Sequence, residues 1–344
     1  MRCVRIHEHG GVEKLIFEEV ATPAIGPNDV LVKVKATSIN HLDLWVRQGL
    51  PGVKFPLPLI PGVDAAGVVA ELGEAVRHVR IGDRVVVAQG ISCGHCKQCL
   101  NGDDNLCKEY RLIGEHRDGA DAEYISVPGR NILKLPGSVS FEAAAASALV
   151  FLTAWHMLVN KARVQPGEDV LVIGASSGVG SAGLQIAKMV GARVIATTSS
   201  DEKSTKLRQL GADDVINYKT HRVLDQVRLL TGKKGVEVVF DHVGVSVWEE
   251  NIKAMAKGGR LVTCGATSGH EAMTDLRYIF YKQLQILGST MGRKGDLTTI
   301  LNLIERGILK PVIDRVMPLT DVRQAHQIVE EGKHFGKIVL NPQR

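Results

Sequence analysis

The chain has 344 residues, a formal net charge of +5 and 23% charged residues. That length suits two domains with sizeable cores, and Lys and Arg scattered among acids exclude the concentrated basic face that nucleic acid requires. The N-terminal MRCVRIHEHGG has no apolar stretch of the signal-peptide kind, so a cytoplasmic protein is expected.

Up to about Pro136, short β-like runs alternate with turns. VLVKVKAT from Val30, AAGVVAEL from Ala65 and DRVVVA from Asp83 read as strands, with Gly82-Asp83 as a turn signal. The longest mostly apolar run, Ala143 to Trp155, is too short for a bilayer and is broken by Ser147 and Thr153, so no membrane span is expected. After Pro166 the rhythm becomes strand, helix, strand. DVLVIG precedes the amphipathic GVGSAGLQIAKMVG, and RVIAT, DDVIN, VEVVFD, GRLVTCG and QILGST follow as strand candidates. Such alternation predicts a doubly wound parallel sheet, giving an α/β protein overall. The last fifty or so residues lose that rhythm and end in FGKIVLN, a strand without a helix partner that is expected to return to the first domain.

The most specific local signal is SCGHCKQCLNGDDNLC, which carries Cys93, Cys96, Cys99 and Cys107. Intervals of two, two and seven residues among polar spacers suit a surface lobe folded around one tetrahedral zinc with four thiolates. Disulfides fit an intracellular chain poorly. The bacterial iron–sulfur run needs a closer fourth cysteine followed by proline, where this chain has Lys108. Four sulfurs leave the metal no open position, so the site stabilises a fold and does not catalyse.

A dinucleotide site is expected at IGASSGVGS, between a strand and a helix. Ser176, Ser177, Gly178 and Val179 would surround a pyrophosphate at the helix N-terminus. The next strand ends Ala196-Thr197-Thr198-Ser199-Ser200, without the carboxylate that receives a ribose 2′-hydroxyl. With Ser199 there and Lys203 close behind, NADPH is expected ahead of NADH.

Together these segments resemble the medium-chain dehydrogenase/reductase superfamily over essentially the whole chain. The resemblance implies a GroES-like β-rich catalytic domain (residues 1–148 and 290–344, with a zinc lobe at 90–110) and a Rossmann domain (149–289). In the superfamily's zinc alcohol dehydrogenases a second, catalytic zinc is held at positions that here read Asn40, Val63 and Leu149. Valine and leucine cannot ligate zinc and an amide does so poorly, so one structural zinc and no catalytic zinc are expected. INHLDLWVRQGL, AAASALVFLTAWHML, VLVIGASSGVGSAGLQIAK and FGKIVL resemble the quinone oxidoreductase branch, which usually lacks the cysteine lobe. By that resemblance Thr153 approaches the nicotinamide carboxamide, Tyr218 meets the adenosine 2′-phosphate, and Val243, Gly265, Ala266 and Thr267 line the cofactor cleft. Ser289 and Lys337 would close over the nicotinamide.

Without a Lewis acid, hydrogen-bond donors must stabilise the oxygen that gains charge. Asn40 is the first candidate, with His41 and Arg47 nearby. Asp43 and Asp64 are expected to pair with a basic residue. The expected function is NADPH-dependent reduction of quinones or activated α,β-unsaturated carbonyls, acting on a small-molecule substrate as a homodimer or homotetramer. The rival readings are an alcohol dehydrogenase or carbonyl reductase, and an NADPH-binding protein without turnover.

Overall fold

The structure is a computed structural model and describes residues 1–343. Its contacts divide the chain into two compact units. One comprises Met1–Leu152 and the stretch from Arg293 onward; the other is Thr153–Gly292. The sequence had suggested changes of domain near residues 148 and 290.

In chain order the first stretch forms β1 (Arg2–Arg5), β2 (Ile16–Glu19), β3 (Asp29–Ser38), α1 (His41–Gln48), β4 (Ala66–Leu72), β5 (Arg84–Val87) and β6 (Gly90–Ile91). It continues with α2 (Lys97–Leu100), β7 (Arg111–Leu112), β8 (Tyr124–Pro128), β9 (Ile132–Lys134) and α3 (Phe141–Trp155). The second unit holds β10 (Asp169–Val172), α4 (Gly178–Val190), β11 (Arg193–Thr198), α5 (Asp201–Gln209), β12 (Asp214–Asn217) and α6 (Val223–Leu230). It ends with β13 (Val236–Asp241), α7 (Val245–Ala254), β14 (Met255–Thr263), α8 (Leu276–Lys282) and β15 (Gln285–Gly288). The chain then returns to the first unit as α9 (Lys294–Glu305), β16 (Ile313–Pro318), α10 (Val322–Glu330) and β17 (Lys337–Asn341).

The first unit is built on a sheet ordered β16-β17-β3-β4-β5-β9, with β8 also paired to β3. Val30, Val32, Val34 and Ala36 of β3 are buried, as a strand packed into a β-rich core requires. β17 lies antiparallel to β3, with Val339 opposite Ser38 and Leu340 opposite Thr37. Ile338 and Leu340 share a core with Val4, Ile6, Leu44 and Ile39, so both ends of the chain contribute to it. This pairing brings the C-terminal segment against the start of α1.

The second unit is a parallel sheet ordered β12-β11-β10-β13-β14-β15. Taken from β10 as the first strand, this is the 3-2-1-4-5-6 order of the Rossmann fold, whose ligands bind beyond the strands' carboxyl ends where the order reverses. β14 begins earlier than its apolar run suggests: Met255 already pairs with Val236, and a register shift separates that pair from the ladder starting at Val238 and Arg260. α3 also exceeds the apolar run seen in sequence, because a π-helical turn (His156–Lys161) extends it. The combined segment is long and apolar enough to cross a bilayer, but most of its apolar window is buried in the fold, which makes it a core helix.

Candidate functional site

The cysteine lobe comes first because its geometry is the most explicit. The Sγ atom of Cys99 lies 3.8 Å from that of Cys93 and 3.6 Å from that of Cys96. Four thiolates about 2.3 Å from a tetrahedral zinc would stand roughly 3.8 Å apart. No disulfide joins them. The N–H groups of Cys96, Gly94 and Cys93 each point at a cysteine sulfur at 3.4 Å, an arrangement that stabilises thiolate charge. Arg293 pairs with Asp103, and the Lys294 N–H donates to Asp104, so the start of α9 anchors the lobe. The donor set fits one structural zinc held by Cys93, Cys96, Cys99 and Cys107. Among the described residues, both groups of His, Cys, Asp or Glu close enough to share a metal include Cys93.

A second constellation is buried in the same unit, where β3 runs into α1. Asp64 accepts at Oδ2 from Ser38 Oγ (2.7 Å) and Asn40 Nδ2 (2.8 Å), and at Oδ1 from the Leu149 N–H (2.9 Å). Lys337 is 3% exposed. Its ammonium donates to Ile39 O (2.6 Å) and Asn40 Oδ1 (2.5 Å) and lies 3.4 Å from Asp64. Asn40 Nδ2 also donates to Ser38 O at 3.2 Å, so both amide hydrogens are engaged inside the protein. The Asn40 backbone N–H donates to Asp43 Oδ2 (2.7 Å), while Asp43 Oδ1 is buried with no partner. Burial first, and then the Asp121 carboxylate, push the Asp43 carboxyl up to about 8. Asp121, which accepts from Thr37 Oγ1, is likewise raised by burial, to about 6. Gly62 must lack a side chain here, because its φ is +95° and a Cβ would meet the Asp121 backbone N at 2.6 Å.

Two cations named in the sequence reading have fixed partners here. Lys337, expected over the nicotinamide, directs its ammonium at Asn40 and Asp64. Arg47 is buried and turned to Gly10 O, His326 Nδ1 (3.3 Å) and Glu330, so its charge is spent within the fold. Burial, then the Arg47 charge, push His326 down to about 3, which keeps it neutral. His41 is exposed at the first turn of α1, its ring set edge-on to Trp45 with centroids 5.2 Å apart. A catalytic zinc does not fit these donors. Val63 is fully buried without a ligating atom, the Leu149 position contributes only a backbone N–H, and an ammonium occupies Asn40 Oδ1.

In the second unit, β10 leads through residues 173–177 into α4. Ser177 caps that helix by accepting from the Gly180 N–H at 3.0 Å. A Cβ on Gly180 would lie 2.3 Å from Gly174 O, so the turn is as tight as a pyrophosphate cradle needs. Gly178 is buried, and Ser176 and Val179 are half-buried beside it. The hydroxyls of Thr153, Thr198 and Ser289 are buried with no protein partner. Three orphaned donors in this unit fit a polar ligand such as a dinucleotide. At the end of β13, Asp241 accepts from the N–H groups of Val243 and Gly244. Thr263 Oγ1 donates to Gly265 O (3.2 Å), Ala266 packs on Gly244, and Thr267 Oγ1 is 3.5 Å from His242 O. Past β11, Ser199 is half-buried, the Lys203 N–H caps onto Ser200 Oγ (3.2 Å), and Tyr218 is 48% exposed. Asp201, the first acid after β11, accepts from Asn217 Nδ2 at 2.8 Å.

The profile of the alcohol dehydrogenase GroES-like domain matches residues 26–137, and that of the zinc-binding dehydrogenases matches residues 178–306. A solved NAD-dependent alcohol dehydrogenase is 48% identical, covers 99% of both chains and superposes with a TM-score of 0.95. The NAD-dependent alcohol dehydrogenase of Saccharolobus solfataricus is 34% identical over 99% of this chain and 100% of its own. The quinone oxidoreductase of Salmonella typhimurium is 31% identical over 98% and 99% respectively. The chain therefore belongs to the medium-chain dehydrogenase/reductase superfamily and is an oxidoreductase.

Proposed function

We propose that this enzyme reduces quinones or activated α,β-unsaturated carbonyls with NADPH, without a catalytic metal. The observation that carries the reading is the Asp64–Asn40–Lys337 constellation, in which the oxygens that a metal would need are satisfied by an ammonium, a hydroxyl, an amide N–H and one backbone N–H. Bound NADPH would supply a hydride to the electron-poor carbon of the substrate. The residues of this chain supply the rest. The turn at 173–177 and the N-terminus of α4 hold the pyrophosphate, Ser199 and Lys203 favour a 2′-phosphate, and Asn40 bonds the substrate oxygen. The proton that completes the reduction comes from solvent.

Alcohol dehydrogenase activity is the second reading, favoured by the names of several relatives. One experiment separates them: NADPH and NADH oxidation over quinones, enals, ketones and enoyl-CoA esters, alongside alcohol oxidation and metal analysis. Turnover of quinones or enones with one zinc per chain supports the first reading. Two zincs per chain with turnover of alcohols alone overturns it.

The protein acts in the cytoplasm as a homodimer or homotetramer. The outermost strand β15 carries Ile286 at 41% exposure, a free sheet edge suited to pairing with a second copy.

A further inference from the structure

The ammonium of Lys337 needs an explanation, because a buried lysine is costly to desolvate. Two buried aspartates, Asp64 and Asp43, act on its charge. The ammonium touches Asp64 only at 3.4 Å, however, and its shortest bond, 2.5 Å, goes to the amide oxygen of Asn40. A lysine placed only to neutralise a carboxylate would be expected to make that contact its closest. We propose that Lys337 is a positioning residue for the reduction, which orients and polarises the Asn40 amide so that it can donate to a substrate oxygen.

The geometry fixes the amide from both ends. An ammonium at Oδ1 and a carboxylate at Nδ2 permit only one orientation of the side chain. Positive charge on Oδ1 draws electrons from the amide nitrogen and strengthens its N–H groups as donors. One of them is held at 2.8 Å by Asp64, whereas the other makes a longer bond of 3.2 Å to Ser38 O. The longer bond is the one exchanged for a substrate oxygen. As hydride arrives at the electron-poor carbon, the oxygen gains charge, and the polarised N–H with the ammonium behind it stabilises that charge.

The inference rests on the proposed reduction, and its test keeps the two apart. Lys337→Met, Asp64→Asn and the double variant are compared for melting temperature, NADPH affinity, KM and kcat on a quinone or enone. Lys337→Met alone leaves Asp64 buried and unpaired and is expected to lower the melting temperature. The double variant removes both charges and should restore it. On this proposal kcat stays about 100-fold low in the double variant, with NADPH affinity and KM within a few-fold of wild type. Asp64→Asn keeps the ammonium and an amide oxygen that can still accept from Asn40 Nδ2, so it is expected to lose less kcat than Lys337→Met. If kcat recovers together with the melting temperature in the double variant, or if Asp64→Asn loses as much kcat as Lys337→Met, the lysine is a structural counter-ion and the proposal is overturned. Wild-type protein that turns over no quinone or enone sinks the reduction itself. The same variants are then scored on alcohol oxidation with NAD+, where an unchanged kcat in Lys337→Met also removes the role of the ammonium.

Discussion

At the scale of single residues, Asp43 is a group whose chemistry departs far from its ordinary state. Its carboxyl is raised to about 8 by burial and by Asp121, against the opposing pull of the Asn40 N–H and Lys337. An unfolded aspartate titrates near 3.9. Between those values the folded protein holds a proton that the unfolded chain has released, so this group's contribution to stability is complete below about pH 4 and drains away as pH rises towards 8. Asparagine keeps an oxygen for the Asn40 N–H and has no charge to bury. Asp43→Asn is expected to gain stability relative to wild type as pH is raised from about 5 to about 8.5, read as the difference between urea midpoints. A difference that is constant with pH would remove the assignment. The residue scale also marks the limit of the sequence. Four cysteines within one short segment declare their shared ligand because their spacing is local. The bond between Lys337 and Asn40 joins residues 297 apart, and no local pattern announces it. Likewise, no local pattern shows that Arg47, close to Asn40 in sequence, bonds Gly10 O, His326 and Glu330.

Elements were easier to read than their ends. β3, β4, β5, β10, β11 and β13 each fall on an apolar run of β-branched residues, the pattern that a buried strand imposes. The π-helical turn after α3 and the early start of β14 were not legible, because each depends on packing that a local window does not contain. The turn from β10 to α4 lies between these cases. The small residues were visible, but the structure alone shows which glycine is indispensable. A side chain on Gly180 would strike Gly174 O at 2.3 Å and Ala175 Cα at 2.8 Å, both backbone atoms that cannot move aside cheaply. Gly180→Ala is therefore expected to open the turn, costing about 1–3 kcal/mol of stability and at least tenfold in NADPH affinity. Titration of NADPH fluorescence with a parallel urea melt checks both. Unchanged affinity would show that the pyrophosphate is held elsewhere.

For the molecule as a whole, alternation of strands and helices in one continuous stretch made the parallel sheet readable, since the order 3-2-1-4-5-6 follows from few topological choices. The first unit is different, because its sheet is completed from both ends of the chain. β17 is an interior strand, with β16 on one side and β3 on the other, and removing it also strands β16. Ile338, Val339 and Leu340 are fully buried, and Ile338 and Leu340 pack with residues as distant as Val4 and Ile6. Losing two buried aliphatic side chains of this size costs roughly 2–5 kcal/mol each, comparable to the whole stability of a domain. The second unit draws on residues 153–292 alone and has its own core around Leu171, Ile195 and Val239. A chain ending at Phe335 is thus expected to lose the fold of the first unit, together with its zinc, while the second unit persists. Limited proteolysis should yield a resistant fragment covering about residues 153–292, with less than stoichiometric zinc in the truncated protein. Full zinc content and protection of residues 1–152 would show that β17 is dispensable, and with it the route by which Lys337 reaches Asn40.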